Sequence, residues 1–184
     1  MERRIRRTLV IACSMSLAIV GVFQLAAGTA IGAQGRQERL EKDIRSQIAP
    51  LVGVFDNVTF KVEPDRTVTV SGQVREPNLK RHIEEDMKKV AGVKGVRSLI
   101  EVLPLSRADD DLRLALYRAI YSQEGLQRYS IRTNPPIHIV VKNGAVSLEG
   151  IVANKLEYAQ ANVAASQVSG AFSVKNNLRV EGDA

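Results

Sequence analysis

The stretch Ile137-His138-Ile139-Val140-Val141-Lys142-Asn143-Gly144-Ala145-Val146-Ser147-Leu148-Glu149-Gly150-Ile151-Val152 decides the fold. Asn143-Gly144 between two alternating apolar runs predicts a β-hairpin with a two-residue type I′ turn, because both residues tolerate positive φ. The turn sets the register. Lys142 opposes Ala145, so Val141 faces Val146, Ile139 faces Leu148 and Ile137 faces Gly150, all on one face of the sheet. His138, Val140, Ser147 and Glu149 take the other, outer face.

Outward from this hairpin, the pattern is found to be written twice. Val68, Val70, Gly72, Val74, Val90, Gly92, Val96, Ile100 and Val102 recur at a constant offset as Val146, Leu148, Gly150, Val152, Val168, Gly170, Val174, Leu178 and Val180. Upstream the offset grows by one, with Val58, Phe60 and Val62 falling on Ile137, Ile139 and Val141. One residue has therefore been lost from a turn. In the first copy Pro64-Asp65-Arg66 forms a three-residue loop, and Val62 with Val68, Phe60 with Val70 and Val58 with Gly72 keep the same facing.

A helical stripe follows each hairpin: Ile83, Met87 and Val90, then Ala161, Ala165 and Val168, spaced i, i+4, i+7. Gly92 and Gly170 sit where those helices should stop. A last strand runs through Val96, Ile100 and Val102, and through Val174, Leu178 and Val180. Another helix precedes each hairpin, marked by Leu40, Ile44 and Ile48, and by Leu112, Ala115, Leu116 and Ala119. Ser106 with Asp109 makes a capping box for the latter. The expected fold class is α+β: two tandem small modules, each α-β-β-α-β with a three-stranded mixed sheet covered by two helices. The first spans 36–104 and the second 106–182, joined at Leu103-Pro104-Leu105.

In this order the motifs resemble the BON family, the exported module named for osmotically inducible and nodulation proteins. The resemblance is clearest over Ile137 to Val152 and over Val168-Ser169-Gly170-Ala171-Phe172-Ser173-Val174-Lys175-Asn176-Asn177-Leu178. The first copy departs from it at Val93-Lys94-Gly95-Val96-Arg97-Ser98-Leu99-Ile100, which lacks Asn-Asn, so that copy is expected to be the more structural one. The resemblance implies an envelope protein, with association to phospholipid membranes or a role in envelope or osmotic stress.

Composition agrees with a globular chain: 184 residues, 45% hydrophobic and 25% charged. The formal net charge is +6, and half of that excess lies in Arg3, Arg4, Arg6 and Arg7 against Glu2. The remainder is too dispersed for a nucleic-acid stripe, so no nucleic acid is expected as a partner. The single cysteine is Cys13, which excludes disulfides and Cys-based metal sites from the body. Val10-Ile11-Ala12-Cys13 only distantly echoes a lipoprotein cleavage box. The four arginines and the uncharged run from Thr8 to Ala33 read as an export signal or, uncleaved, as an N-terminal membrane anchor over 1–33. Either places the body in the periplasm or on the non-cytoplasmic side of a membrane.

Chemistry is sparse. His138 opposite Glu149 is expected to be a solvated cross-strand pair, His82 an exposed helix residue, and Asp109-Asp110-Asp111 a first turn that meets the helix dipole. Glu84 with Lys88 and Glu85 with Lys89 give an exposed helix face. No catalytic residues, metal ligands or cofactor are expected, and the chain reads as no enzyme. One region asks for an occupant. On the first helix of the second copy, Leu114, Tyr117 and Tyr121 cluster opposite the inward stripe, beside Arg118; Leu126, Arg128, Tyr129 and Arg132 follow. Tyr with Arg suits a bilayer interface, where rings sit at headgroup depth and cations meet phosphate. These eight residues are the candidate site for an anionic phospholipid membrane. The competing expectation is that the same face packs against the other module, as small modules bury little core alone. A holdase or an envelope-complex scaffold with envelope protein partners stands as the alternative function.

Overall fold

The computed structural model describes residues 20–132 and 134–182, with side chains from 34 onward. Of the export leader anticipated over 1–33, residues 1–19 lie outside the described residues and 20–33 are described by their backbone alone. A helix, α1 (Val20–Ile48), runs without interruption through the boundary anticipated near 33–36. From Arg39 on the chain forms one compact unit holding both modules. Among the described residues no helix is long and apolar enough to cross a membrane.

The first module contains the end of α1, β1 (Asn57–Val62), β2 (Thr67–Val74), α2 (Pro77–Lys89) and β3 (Gly95–Val102). The second contains α3 (Arg107–Tyr121), the short α4 (Gln127–Ser130), β4 (Ile137–Lys142), β5 (Ala145–Val152), α5 (Lys155–Ser166) and β6 (Ser173–Val180). Each has a three-stranded sheet, ordered β1-β2-β3 and β4-β5-β6, with an antiparallel hairpin and a parallel third strand. The hairpin registers match the reading residue for residue: Ile139 pairs Leu148, Val141 pairs Val146, Phe60 pairs Val70 and Val62 pairs Val68. Asn143 and Gly144 both have positive φ, as a type I′ turn requires. The added element is α4, where a loop was expected.

Two cores result. Leu40, Ile44 and Ile48 meet Val68, Val70, Val74, Ile83, Met87 and Ile100 in the first. Leu112, Leu116 and Ile120 meet Ile137, Ile139, Leu148, Ala161, Ala165 and Leu178 in the second. Ser106 caps α3 by accepting from Asp109 N, one half of the expected capping box; the Asp109 carboxylate is used elsewhere. The Asp109 carboxylate does more than meet a dipole. It is 2% exposed and accepts from Asn143 N and Gly144 N, both at 2.8 Å, so the N-terminus of α3 holds the hairpin turn. Arg113, also buried, donates to the carbonyl of Val141 and to Asp110 from the next turn of the same helix.

The modules are docked by the segment just before β1. Ile139 N donates to the carbonyl of Val54 at 2.7 Å, and His138 Nδ1 lies 3.1 Å from the carbonyl of Gly53. Val54 and Phe55 pack against the second core, with the Phe55 ring edge-on to Tyr117 at 6.2 Å between centroids. Ion pairs Arg75–Asp110 and Lys142–Glu101 flank this junction. His138 is thus no solvated outer-face residue: its register partner is Glu149, but the first module covers it.

Candidate functional site

The candidate site rests on α3, α4 and the start of α5. The structure divides its eight residues into anchors and surface. Tyr121 is 5% exposed and its hydroxyl donates to the carbonyl of Ile137 at 2.8 Å. Burial pushes its phenol well above the usual range, so it stays a neutral donor. Leu126 is fully buried, and Tyr129, 5% exposed, donates to Glu157 Oε2 at 2.7 Å. Leu114, Tyr117 and Tyr121, expected from the helical wheel to share an exposed face, therefore do not form one, although the Tyr117 and Tyr121 rings do meet. The reason is that α3 is enclosed on more than one side: Tyr121 reaches β4, Tyr117 is half-buried between Tyr121 and Phe55 of the first module, and only Leu114 stays largely in solvent. Interdomain packing accounts for Tyr117, and core packing for Tyr121.

What remains at the surface is basic. Arg118, Arg128 and Arg132 are exposed. Arg128 and Arg132 both lie over the Tyr129 ring, 4.9 and 5.4 Å from its centroid, and between them in sequence stands Ile131, 86% exposed. Ile131 was not singled out in the sequence, although an apolar residue between Arg128 and Arg132 just after an anchoring tyrosine was there to read.

The second missed residue is Glu157. It is 4% exposed, and burying a carboxylate is costly unless every lone pair is used. Here Tyr129 Oη, Arg128 Nη2, Ala153 N and Asn154 Nδ2 all donate to it. Glu157 thereby pins α4 to the first turn of α5. The internal repeat carried the signal, since Glu157 occupies the position of Leu79 in the first copy.

A second polar set lies on the outer face of the second sheet. Asn177 Nδ2 donates to Glu149 Oε1 at 2.6 Å and to Ser147 Oγ at 3.2 Å, and Ser147 also bonds Glu149. An open groove of about 680 Å³ passes over it, bordered by Asn57 and Thr59 of the first module and by His138, Asn177 and Pro136 of the second. His138 is held below the ordinary imidazole value by burial, against the opposing pull of the Gly53 carbonyl, Asp56 and Glu149. As the Gly53 carbonyl can only accept, Nδ1 carries the proton of the neutral ring. His138 is spent on the junction, and Glu149 on Ser147 and Asn177. Among the described residues no group of three or more His, Cys, Asp or Glu comes together as a metal site.

Fold and site together define a pair of tandem α+β modules with a rigidly anchored basic surface. The chain belongs to the BON domain family, whose model matches residues 37–104 and 109–182. No curated protein matches the chain. Among solved structures it is similar to the C-terminal domain of CdsD, described as the structural protein of the type III secretion system of Chlamydia trachomatis. That similarity has 14% identity over 76% of this chain and 96% of that chain, with a TM-score of 0.32. A second structure of CdsD from the same organism has 13% identity over 77% and 92%, with a TM-score of 0.31. Likenesses this distant do not bear on function.

Proposed function

We propose that the protein works without catalysis, as an envelope-associated module pair that docks reversibly on anionic phospholipid through the α3–α4 surface of its second module. The observation that carries this reading is Ile131, 86% exposed between Arg128 and Arg132. Its chain neighbours Leu126 and Tyr129 are buried, whereas Ile131 stands in solvent. An isoleucine entering the acyl boundary contributes about 1.5–3 kcal/mol, and each basic residue near an anionic surface about 1 kcal/mol. Arg118 and Arg132, beside an Arg128 held on Glu157, then suffice for weak, reversible docking, with Leu114 at the margin. Tyr121, Leu126 and Tyr129 act as the frame beneath the contact. An envelope location is supported by the basic, then uncharged, leader and by the family.

The test is co-flotation of the protein with phosphatidylglycerol vesicles and, separately, with phosphatidylcholine vesicles. Binding to the anionic vesicles alone is expected, with Ile131→Asp and Arg132→Glu each abolishing it at an unchanged melting temperature. Absence of native binding, or binding that survives both substitutions, overturns the reading and moves the holdase or scaffold function to the front.

A further inference from the structure

The tandem repeat supplies an internal control, because α2 and α5 are the same helix of the same fold in two copies. The solvent face of α2 carries Asn78, Arg81, Glu85, Lys88 and Lys89. Their counterparts are Leu156, Ala159, Val163 and Ser166 on α5 and Gln167 at its C-cap, none of them charged. Leu156 is 67% exposed and Val163 53%, although the buried side of α5 is already filled by Ala161, Ala164 and Ala165. The fold does not need an apolar residue on this face, as the first copy demonstrates. An exposed apolar stripe where the fold prefers charge marks a contact surface.

We infer that α5 is a self-association surface, pairing two copies of this chain through antiparallel α5 helices. Charge selects this occupant. The other helices all have a basic residue in the last turn, Arg45, Lys88 and Lys89, Arg118 and Arg128, which meets the partial negative charge of the terminal carbonyls. The last turn of α5 has none. Its exposed cation is Lys155, at the opposite end. In an antiparallel pair, Lys155 of the partner subunit comes to the C-terminal end of α5 and supplies the missing cation, and the exchange is reciprocal, as a two-fold interface demands. Setting Leu156 against Val163 of the partner subunit places the two-fold axis beside Ala159, whose small side chain lets the helices approach. An anionic bilayer fits this face poorly, since Lys155 is its lone cation. A contact of one helix per subunit is at the small end of specific interfaces, so the dimer is weak and reversible. The inference is independent of the lipid reading, which concerns α3 and α4.

The full chain tests it by cysteine crosslinking in a Cys13→Ser background. Ala159→Cys is expected to give a disulfide-linked dimer on mild oxidation in intact producing cells, and Arg81→Cys, its counterpart on α2, is not. Adding Val163→Glu, which installs the charge that Glu85 carries in the first copy, is expected to lower the crosslinked fraction at least tenfold with an unchanged circular dichroism spectrum of the purified protein. The inference is overturned if Ala159→Cys crosslinks no better than Arg81→Cys, if the adduct contains a different protein, or if the dimer survives Val163→Glu.

Discussion

Asp109 illustrates how one buried side chain can couple two elements. Its backbone N–H is capped by Ser106, while its carboxylate takes both free amides of the Asn143-Gly144 turn. Bonds to an ionised acceptor are the stronger kind, and Gly144 is buried, so removing the acceptor leaves amide groups without a partner. Asp109→Ala is expected to destabilise the chain by about 3 kcal/mol. In urea unfolding this appears as a lower midpoint at constant slope; a change below about 1 kcal/mol would mean the turn holds by its own chemistry. Glu157 belongs to the same kind, a carboxylate whose donors come from two segments, α4 and the turn before α5.

At the scale of elements, both second strands carry a glycine for a steric reason. Gly72 and Gly150 have φ of 131° and 123°, and a Cβ on either would stand 1.9 Å from a backbone oxygen, that of Asn57 or Pro136. The chain entering each hairpin crosses there, and neither backbone can yield without breaking the sheet edge. Gly150→Ala is therefore expected to cost about 3 kcal/mol or more, beyond the usual loss for a surface change, through strain at a left-handed φ together with the clash. Thermal unfolding measures it, and a shift of melting temperature near zero would contradict the close approach. Hairpins, registers and the repeat were legible in the sequence because turn chemistry and alternation are local. The site was legible only as a region. A helical wheel gives α3 one buried face, yet β4 and the first module enclose it from different sides, so Tyr121 and Tyr129 read as surface aromatics when they are core. Gly53 to Phe55 read as a mere connector because nothing local announces a docking contact across eighty-odd residues. Comparing the two copies position by position would have recovered Glu157 against Leu79 and the uncharged face of α5.

For the whole molecule, the junction decides whether two modules behave as one body. Its flanking ion pairs, Arg75–Asp110 and Lys142–Glu101, are solvent-exposed and contribute little. The main contacts are the Ile139–Val54 backbone bond, the Phe55–Tyr117 rings and His138 on the Gly53 carbonyl. His138 makes this set pH-sensitive. Burial lowers its pKa below the ordinary 6.5, in spite of Gly53, Asp56 and Glu149, which favour the charged ring. With the folded value lower than the unfolded one, the unfolded chain binds more protons in the window between them, so stability rises with pH there. The contribution of His138 is full above the unfolded value and is lost as pH falls through the lower folded value. Protonation brings a second ring N–H and a charge into a half-dry junction, which loosens the docking of Gly53 to Phe55. The urea midpoint of the native chain is expected to fall more between about pH 7.5 and about pH 5.5 than that of His138→Asn, since carboxylate titration is shared by both and His82 is retained in both. Equal falls would show that the imidazole is not linked to folding, and a larger fall in the variant would reverse the sign of the argument.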